Sequence, residues 1–155
     1  MGTKAVIALK YLTFCEAIVL NCDGYISWAG AILADCYCSQ EKVSELISLG
    51  ELSHLEDRVK PGEHESHSFE APAPGVTIAY HRDREEVPLC VYRWPNSDDG
   101  YLETLSTFVG AEYIYLFVAE KDCWFVFATK GFSEDELETV PDAQPGIFYS
   151  LERWV

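Results

Sequence analysis

The sequence predicts an α+β domain: an antiparallel or mixed sheet of about five strands, with two or three helices packed mainly on one face. Three observations carry this expectation. Ala17, Ile18, Val19 and Leu20 form an apolar run that ends in the turn formers Asn21-Cys22-Asp23-Gly24; Tyr25, Trp28, Ala29, Ile32, Leu33 and Cys36 then recur at the three-and-four spacing of one helix face. Segments 112–119 and 123–129 are aromatic and β-branched on either side of Glu120-Lys121-Asp122, the strongest hairpin signal in the chain. With 155 residues, 48% of them apolar and 14% aromatic, one core can be filled, which predicts a single compact domain over 1–155.

Each element follows from local pattern. Segment 4–12 is apolar at nearly every position and predicts a central strand, paired antiparallel with 14–20 through a turn near Thr13. Asp23, on the strand-to-helix turn, is placed either to cap the 25–37 helix or to serve a site. Ser39 as N-cap and Gly50 past the C-terminus bracket a second helix, and Leu52 and Leu55 suggest one further helical turn. Residues 60–74 hold Pro61, Gly62, His64, His67, Pro72 and Pro74 and predict a long loop. Segments 76–81 and 89–94 return to strand composition, as a hairpin or on separate edges. Tyr101, Leu102, Leu105 and Phe108 predict a helix ending at Gly110. Ser133 with Glu136 is a capping-box pattern for a short acidic helix over 132–140, and the tail from Pro145 is apolar enough to dock on the body.

Asp23-Gly24-Tyr25 after a strand, with Gly30-Ala31-Ile32-Leu33 on the next helix, resembles a motif in a group of small acidic bacteriophage proteins. Gly2-Thr3, the 41–50 segment EKVSELISLG and the 75–84 segment GVTIAYHRDR are similar to that group as well, so the resemblance covers roughly the first half of the chain. The group's motif has Cys-His-Trp ahead of Asp-Gly-Tyr, where this chain has Leu20-Asn21-Cys22 and therefore no imidazole. The resemblance implies a phage origin first, and an anti-CRISPR or anti-defence role second.

Charge narrows the partner. Twenty-six acidic against eleven basic residues give a net charge of −15. Phosphate contacts need Lys and Arg, so direct binding to nucleic acid or to an anionic membrane is disfavoured and a basic protein surface is favoured. No basic segment followed by a long apolar one opens the chain, so the six cysteines are expected to be reduced and the protein cytoplasmic in a bacterial host. No apolar run approaches the roughly 18–20 residues of a membrane helix.

Three candidate sites follow. His64 and His67 with Cys36 and Cys38 lack the paired spacing of a zinc site, so no metal and no cofactor is expected and the histidines read as solvated loop residues. The run His81-Arg82-Asp83-Arg84, with Asp23 as second carboxylate, could supply a general base and a cation for an anionic intermediate; Asp23, His81 and Asp83 define the alternative reading, a small phage enzyme acting on a host metabolite or nucleotide. Nucleophile elbows, phosphate loops and dinucleotide fingerprints are absent from the sequence. The third candidate is the acidic surface, clustered at Glu51, Glu56 and Asp57, at Glu63, Glu65 and Glu70, at Asp98, Asp99 and Glu103, and at Glu134, Asp135, Glu136, Glu138 and Asp142. Carboxylates aligned on one face would imitate DNA, with Tyr101, Phe132 and Trp154 as aromatic anchors. The leading expectation is therefore a phage-encoded inhibitor that blocks the nucleic-acid site of a basic host complex, a CRISPR effector above all. Glu134, Asp135, Glu136, Glu138, Asp142, Asp98, Asp99 and Glu103 are its contact residues.

Overall fold

A strand that is apolar over five successive positions must be covered on both faces there, and β1 (Ala5–Lys10), apolar up to its exposed final lysine, is organised accordingly. In the computed structural model, which describes residues 2–84 and 86–155, Ala5, Ile7 and Leu9 point to one layer and Val6 and Ala8 to the other, all fully buried. β1 pairs antiparallel with β2 (Phe14–Leu20) and parallel with β6 (Tyr113–Val118), so it is central, as expected. β6 and β7 (Cys123–Ala128) form the expected antiparallel hairpin.

The sheet is mixed and larger than expected, with eight strands in the order β4-β3-β2-β1-β6-β7-β8 and β5 (Tyr92–Pro95) paired with the first half of β2. Its additions are short pieces: β3 (Leu52–His54), β4 (Ile78–Ala79) and β8 (Tyr149–Ser150). Strands of two or three residues carry no readable period. Leu52 therefore lies in a strand, where a helical turn was expected, and the 76–81 strand shrinks to two residues before α3 (Tyr80–Asp83) begins. Segments 76–81 and 89–94 do not pair with each other: β4 adds to β3 and β5 to β2.

Helices cover both faces, where most were expected on one. One layer receives α1 (Ala31–Cys36) and α2 (Gln40–Ile47), whose Leu33, Val43, Leu46 and Ile47 pack against Ile7, Leu9 and Ile18. The opposite layer is covered by α4 (Tyr101–Val109) through Leu102 and Leu105, packed with Val6, Ala17 and Ile114. Ser39 caps α2 as its position predicts, its side chain accepting from Lys42 N at 3.3 Å. Ser133 and Glu136 form the full capping box of α5 (Glu134–Thr139). The tail docks: Leu151 is buried, and Trp154 stacks on Phe132 at 4.9 Å and donates its indole N–H to the Glu136 carbonyl.

The strand-turn-helix at 16–37 is present, with a shifted face. A π-helical turn, Ile26–Gly30, runs into α1, and Ile26, Ala29, Gly30, Leu33 and Tyr37 face inward. This is one residue on from the face read in the sequence, and it leaves Tyr25 and Trp28 38% and 39% exposed. Two glycines account for the shift. Gly24 donates its N–H to the Thr3 carbonyl at 2.8 Å and accepts from the buried Tyr115 hydroxyl at 2.6 Å; a Cβ there would stand 2.8 Å from Thr3 O. Gly30 lies 3.2 to 3.4 Å, measured from an added Cβ, from side-chain atoms of Ile26, Leu151 and Tyr115, so any larger residue would push these neighbours aside by a few tenths of an ångström. Asp23 does not cap the helix: it takes left-handed backbone with φ 56°, and Tyr25 occupies the N-cap with no side-chain bond.

Tyr115→Phe leaves the Gly24 carbonyl without its buried donor and should lower stability by about 2 kcal/mol. The midpoint of urea unfolding, compared with that of Tyr25→Phe at the exposed neighbour, measures this. Equal midpoints would show that the hydroxyl carries no stability.

Candidate functional site

Asp23, His81 and Asp83 do not converge. His81 is exposed on α3, its Nδ1 2.7 Å from the Val87 carbonyl. Asp83 points inward, two residues on along the same turn. Its Oδ2 accepts from Ala79 N at 2.9 Å and from His67 Nε2 at 3.0 Å, and its Oδ1 accepts from Arg82 Nε at 2.7 Å. Asp23 touches neither; its charge acts on Glu56, beyond the other end of the turn.

The residue that does meet Asp83 is His67, which is no solvated loop histidine. Its side chain is 3% exposed and that of Asp83 4%. Ala73 N donates to His67 Nδ1 at 2.9 Å, so the proton sits on Nε2 and is given to Asp83. Arg82 adds bonds to the Val59 and Thr77 carbonyls at 2.5 and 2.6 Å. Burial alone would raise the Asp83 carboxyl, but the bonds from Arg82, Ala79 N and His67 outweigh it and hold the carboxyl below its ordinary range. Both imidazole nitrogens are engaged, so this cluster has no free base. It is a staple that ties the 60–74 loop, which carries neither helix nor strand, to α3. His64 in the same loop is exposed. Among the described residues no group of three His, Cys, Asp or Glu side chains is placed to hold a metal, and no helix is long and apolar enough to cross a membrane.

The acidic residues divide. α5 lies against Tyr113, whose hydroxyl donates to both Glu136 oxygens at 2.7 and 3.0 Å, and Tyr113 is paired with Ala5 at the start of β1. Asp98 and Asp99 follow β5 beside Thr13, past the far end of β1, and Glu103 stands on the first turn of α4. Six residues of strand, about 17 Å, separate the two sets along β1, so the carboxylates chosen from the sequence fall at opposite ends of it. Within the α5 set, Glu134, Asp135 and Glu138 are exposed, Glu136 is committed to its capping box and to Tyr113, and Asp142 pairs with Arg153 at 2.8 Å. The three aromatic anchors are internal contacts: Tyr101 stacks on Trp94 at 4.5 Å, and Phe132 and Trp154 stack on each other.

A cleft of about 430 Å³ lies on α4 beside Glu103 and Phe108, and three more lie around the π-helical turn, the first of them reaching Asp135, Glu136 and Trp154 of the predicted set. One of about 520 Å³ opens between Tyr25, Ser27, Glu112, Asp135, Glu136 and Trp154. Another of about 460 Å³ is lined by Ser27, Trp28, Ala31, Asp35, Glu56 and Asp57. A third, of about 500 Å³, joins them through Ser27, Ala31, Asp35 and Trp154. No lysine, arginine or histidine lines any of the three. Burial first, and the charges of Asp57 and Asp23 next, raise the Glu56 carboxyl above its ordinary range. The sequence named Asp135, Glu136 and Trp154 on its α5 side but not the helix side, because it placed Tyr25 and Trp28 on the buried face.

The fold and these clefts define the chain as an acidic α+β protein with helices on both faces of a mixed sheet. Comparison with protein families, with curated proteins and with solved structures finds no match to it.

Two substitutions probe these carboxylates with opposite signs. Asp83→Asn should cost about 3 kcal/mol at neutral pH, because His67 and Arg82 lose a buried acceptor. A depressed carboxyl contributes stability above its unfolded pKa and loses it as pH falls through the folded value, so the gap between wild type and variant should close only in acid below the ordinary carboxylate range. Glu56 is raised, so its folded state favours the proton and stability is lost as pH rises through the folded value. Glu56→Gln should therefore unfold at a higher temperature than wild type at neutral pH, with the gain fading in acid. Thermal melts across pH test both, and an unchanged melt at neutral pH for either variant would refute its assignment.

Proposed function

We propose that this chain is a phage-encoded acidic inhibitor that binds a basic, nucleic-acid-handling complex of the host and blocks its nucleic-acid site, with a CRISPR effector as the target class. The observation that carries the reading is the one-sided charge of the surface: three adjoining clefts walled by carboxylates and aromatics, with no cation among their lining residues. A net charge of −15 is costly for a compact fold through self-repulsion, and a basic groove is the surface that relieves it. Glu134, Asp135 and Glu138 are displayed outward on α5, a helix held by its own capping box and by Trp154, so they can meet cations without first being ordered. Mechanistically the chain steers into the groove by charge, occupies it, and excludes the phosphate backbone.

The test is DNA binding by purified CRISPR effector complexes titrated with the chain at low and at moderate salt. Inhibition should weaken as salt rises. The triple reversal Glu134→Lys, Asp135→Lys, Glu138→Lys should weaken it at least about tenfold, while Glu136 is kept to preserve the helix cap. DNA binding that no effector loses at either salt would sink the reading.

A further inference from the structure

We infer that the outward face of the Ile26–Cys36 helical segment is the docking ridge of the chain, and that it receives a basic amphipathic α-helix of a protein partner. The site deepens the inhibitor reading and rests on it only for the positive charge of the partner. Four features converge. Ser27, Ala31 and Ala34 stand at four-and-three spacing on the ridge, and small side chains let a second helix axis approach to about 8–10 Å. Clefts of about 460 to 520 Å³ adjoin along it: all three share Ser27, the one beside Trp28 and the middle one share Ala31 and Asp35, and the middle one meets the cleft toward α5 again at Trp154, which makes an open groove system and no enclosed small-molecule pocket. Tyr25 and Trp28, more than a third exposed, stand where aromatic anchors of an interface are found.

Charge selects the occupant. Asp35, Glu56 and Asp57 line one flank, and Glu112, Asp135 and Glu136 the other, again with no cation. A helix with an apolar seam bordered on both sides by Lys or Arg matches this pattern: its seam meets Trp28, Ala31 and Ala34, and its cations meet the two acidic flanks. A second copy of this chain would bring the same carboxylates against themselves. Nucleic acid would bring phosphates.

The scaffold makes the ridge rigid enough to be specific. The Trp28 indole N–H donates to the Leu55 carbonyl at 3.3 Å, which fixes the ring against the β3 side of the groove. Behind the ridge, Gly30 rests on Tyr115 and Leu151. A π-helical turn is a costly local structure that is frequent at functional sites, and here it is what sets Tyr25 and Ser27 beside the cleft toward α5.

The experiment uses the full chain, labelled with nitrogen-15, and a synthetic amphipathic peptide whose leucine seam is bordered by lysine and arginine. A scrambled peptide of identical composition is the control. Saturable shifts should map to Ser27, the Trp28 indole, Ala31, Asp35 and Gly75, with the scrambled peptide at least about tenfold weaker. Ala31→Arg closes the ridge by bulk and Asp35→Lys by charge; each should weaken the peptide at least about tenfold while leaving the unliganded spectrum otherwise unchanged. Both positions are on the outer surface, so failure of one variant to fold leaves the other to decide. No binding, shifts centred on α5 or on residues 98–103, equal affinity for the scrambled peptide, or unaltered affinity of the folded variants would each overturn the ridge. An effector still blocked by Ala31→Arg would remove this surface and leave the inhibitor reading intact. Peptide seated on the ridge with no effector blocked would do the reverse.

Discussion

Gly24 is held by both of its backbone groups, its N–H on the Thr3 carbonyl and its carbonyl under the Tyr115 hydroxyl. Thr3 leads into the central strand β1, and Tyr115 stands on the neighbouring β6 directly opposite Ile7. One residue therefore ties the entry of the first helix to the two innermost strands. Tyr115 is fully buried, so its hydroxyl has little choice of partner; leaving either group unpaired would cost more than the bond itself contributes. Everything downstream inherits this geometry: where the π-helical turn begins, which residues face inward, and which are left for solvent.

How far the sequence can be read follows from the same contact. The β1–β2 and β6–β7 pairs were legible because each strand is long enough to show composition and each turn is punctuated. Caps at Ser39 and Ser133 were legible because their chemistry is local. The inward face of the first helix was not, for apolar counting scores Trp28 as core and Gly30 as nothing, whereas the fold buries the glycine because it is small and exposes the tryptophan because the tight fit of Gly24 sets the phase. β4 and β8 fail for another reason. Two residues hold no period, and their strand character is conferred by the neighbour that pairs with them.

Histidines show the same divide between composition and context. Proline, glycine and charge around His67 read as a solvated loop, and the backbone there is indeed irregular. Yet His67 and Asp83 form a buried polar pair, covered by the exposed Arg82, in which both imidazole nitrogens and both carboxylate oxygens are satisfied. Such a cluster joins segments sixteen residues apart, a relation no local pattern carries. It also leaves His67 and Asp83 without the free face toward a substrate that an acid or base must have.

The charge distribution is the remaining constraint, and it acts on stability. Among the described residues only Glu16, Glu65, Asp83 and Asp142 pair with an arginine, out of twenty-six acidic residues in the chain. The unpaired carboxylates repel one another, and Glu56 shows the cost locally, raised by burial and by the neighbouring Asp57 and Asp23. A sheet covered on both faces can carry that cost because its core does not depend on surface pairs. Gly24, by fixing where the π-helical turn sits, also fixes where the carboxylates around it crowd.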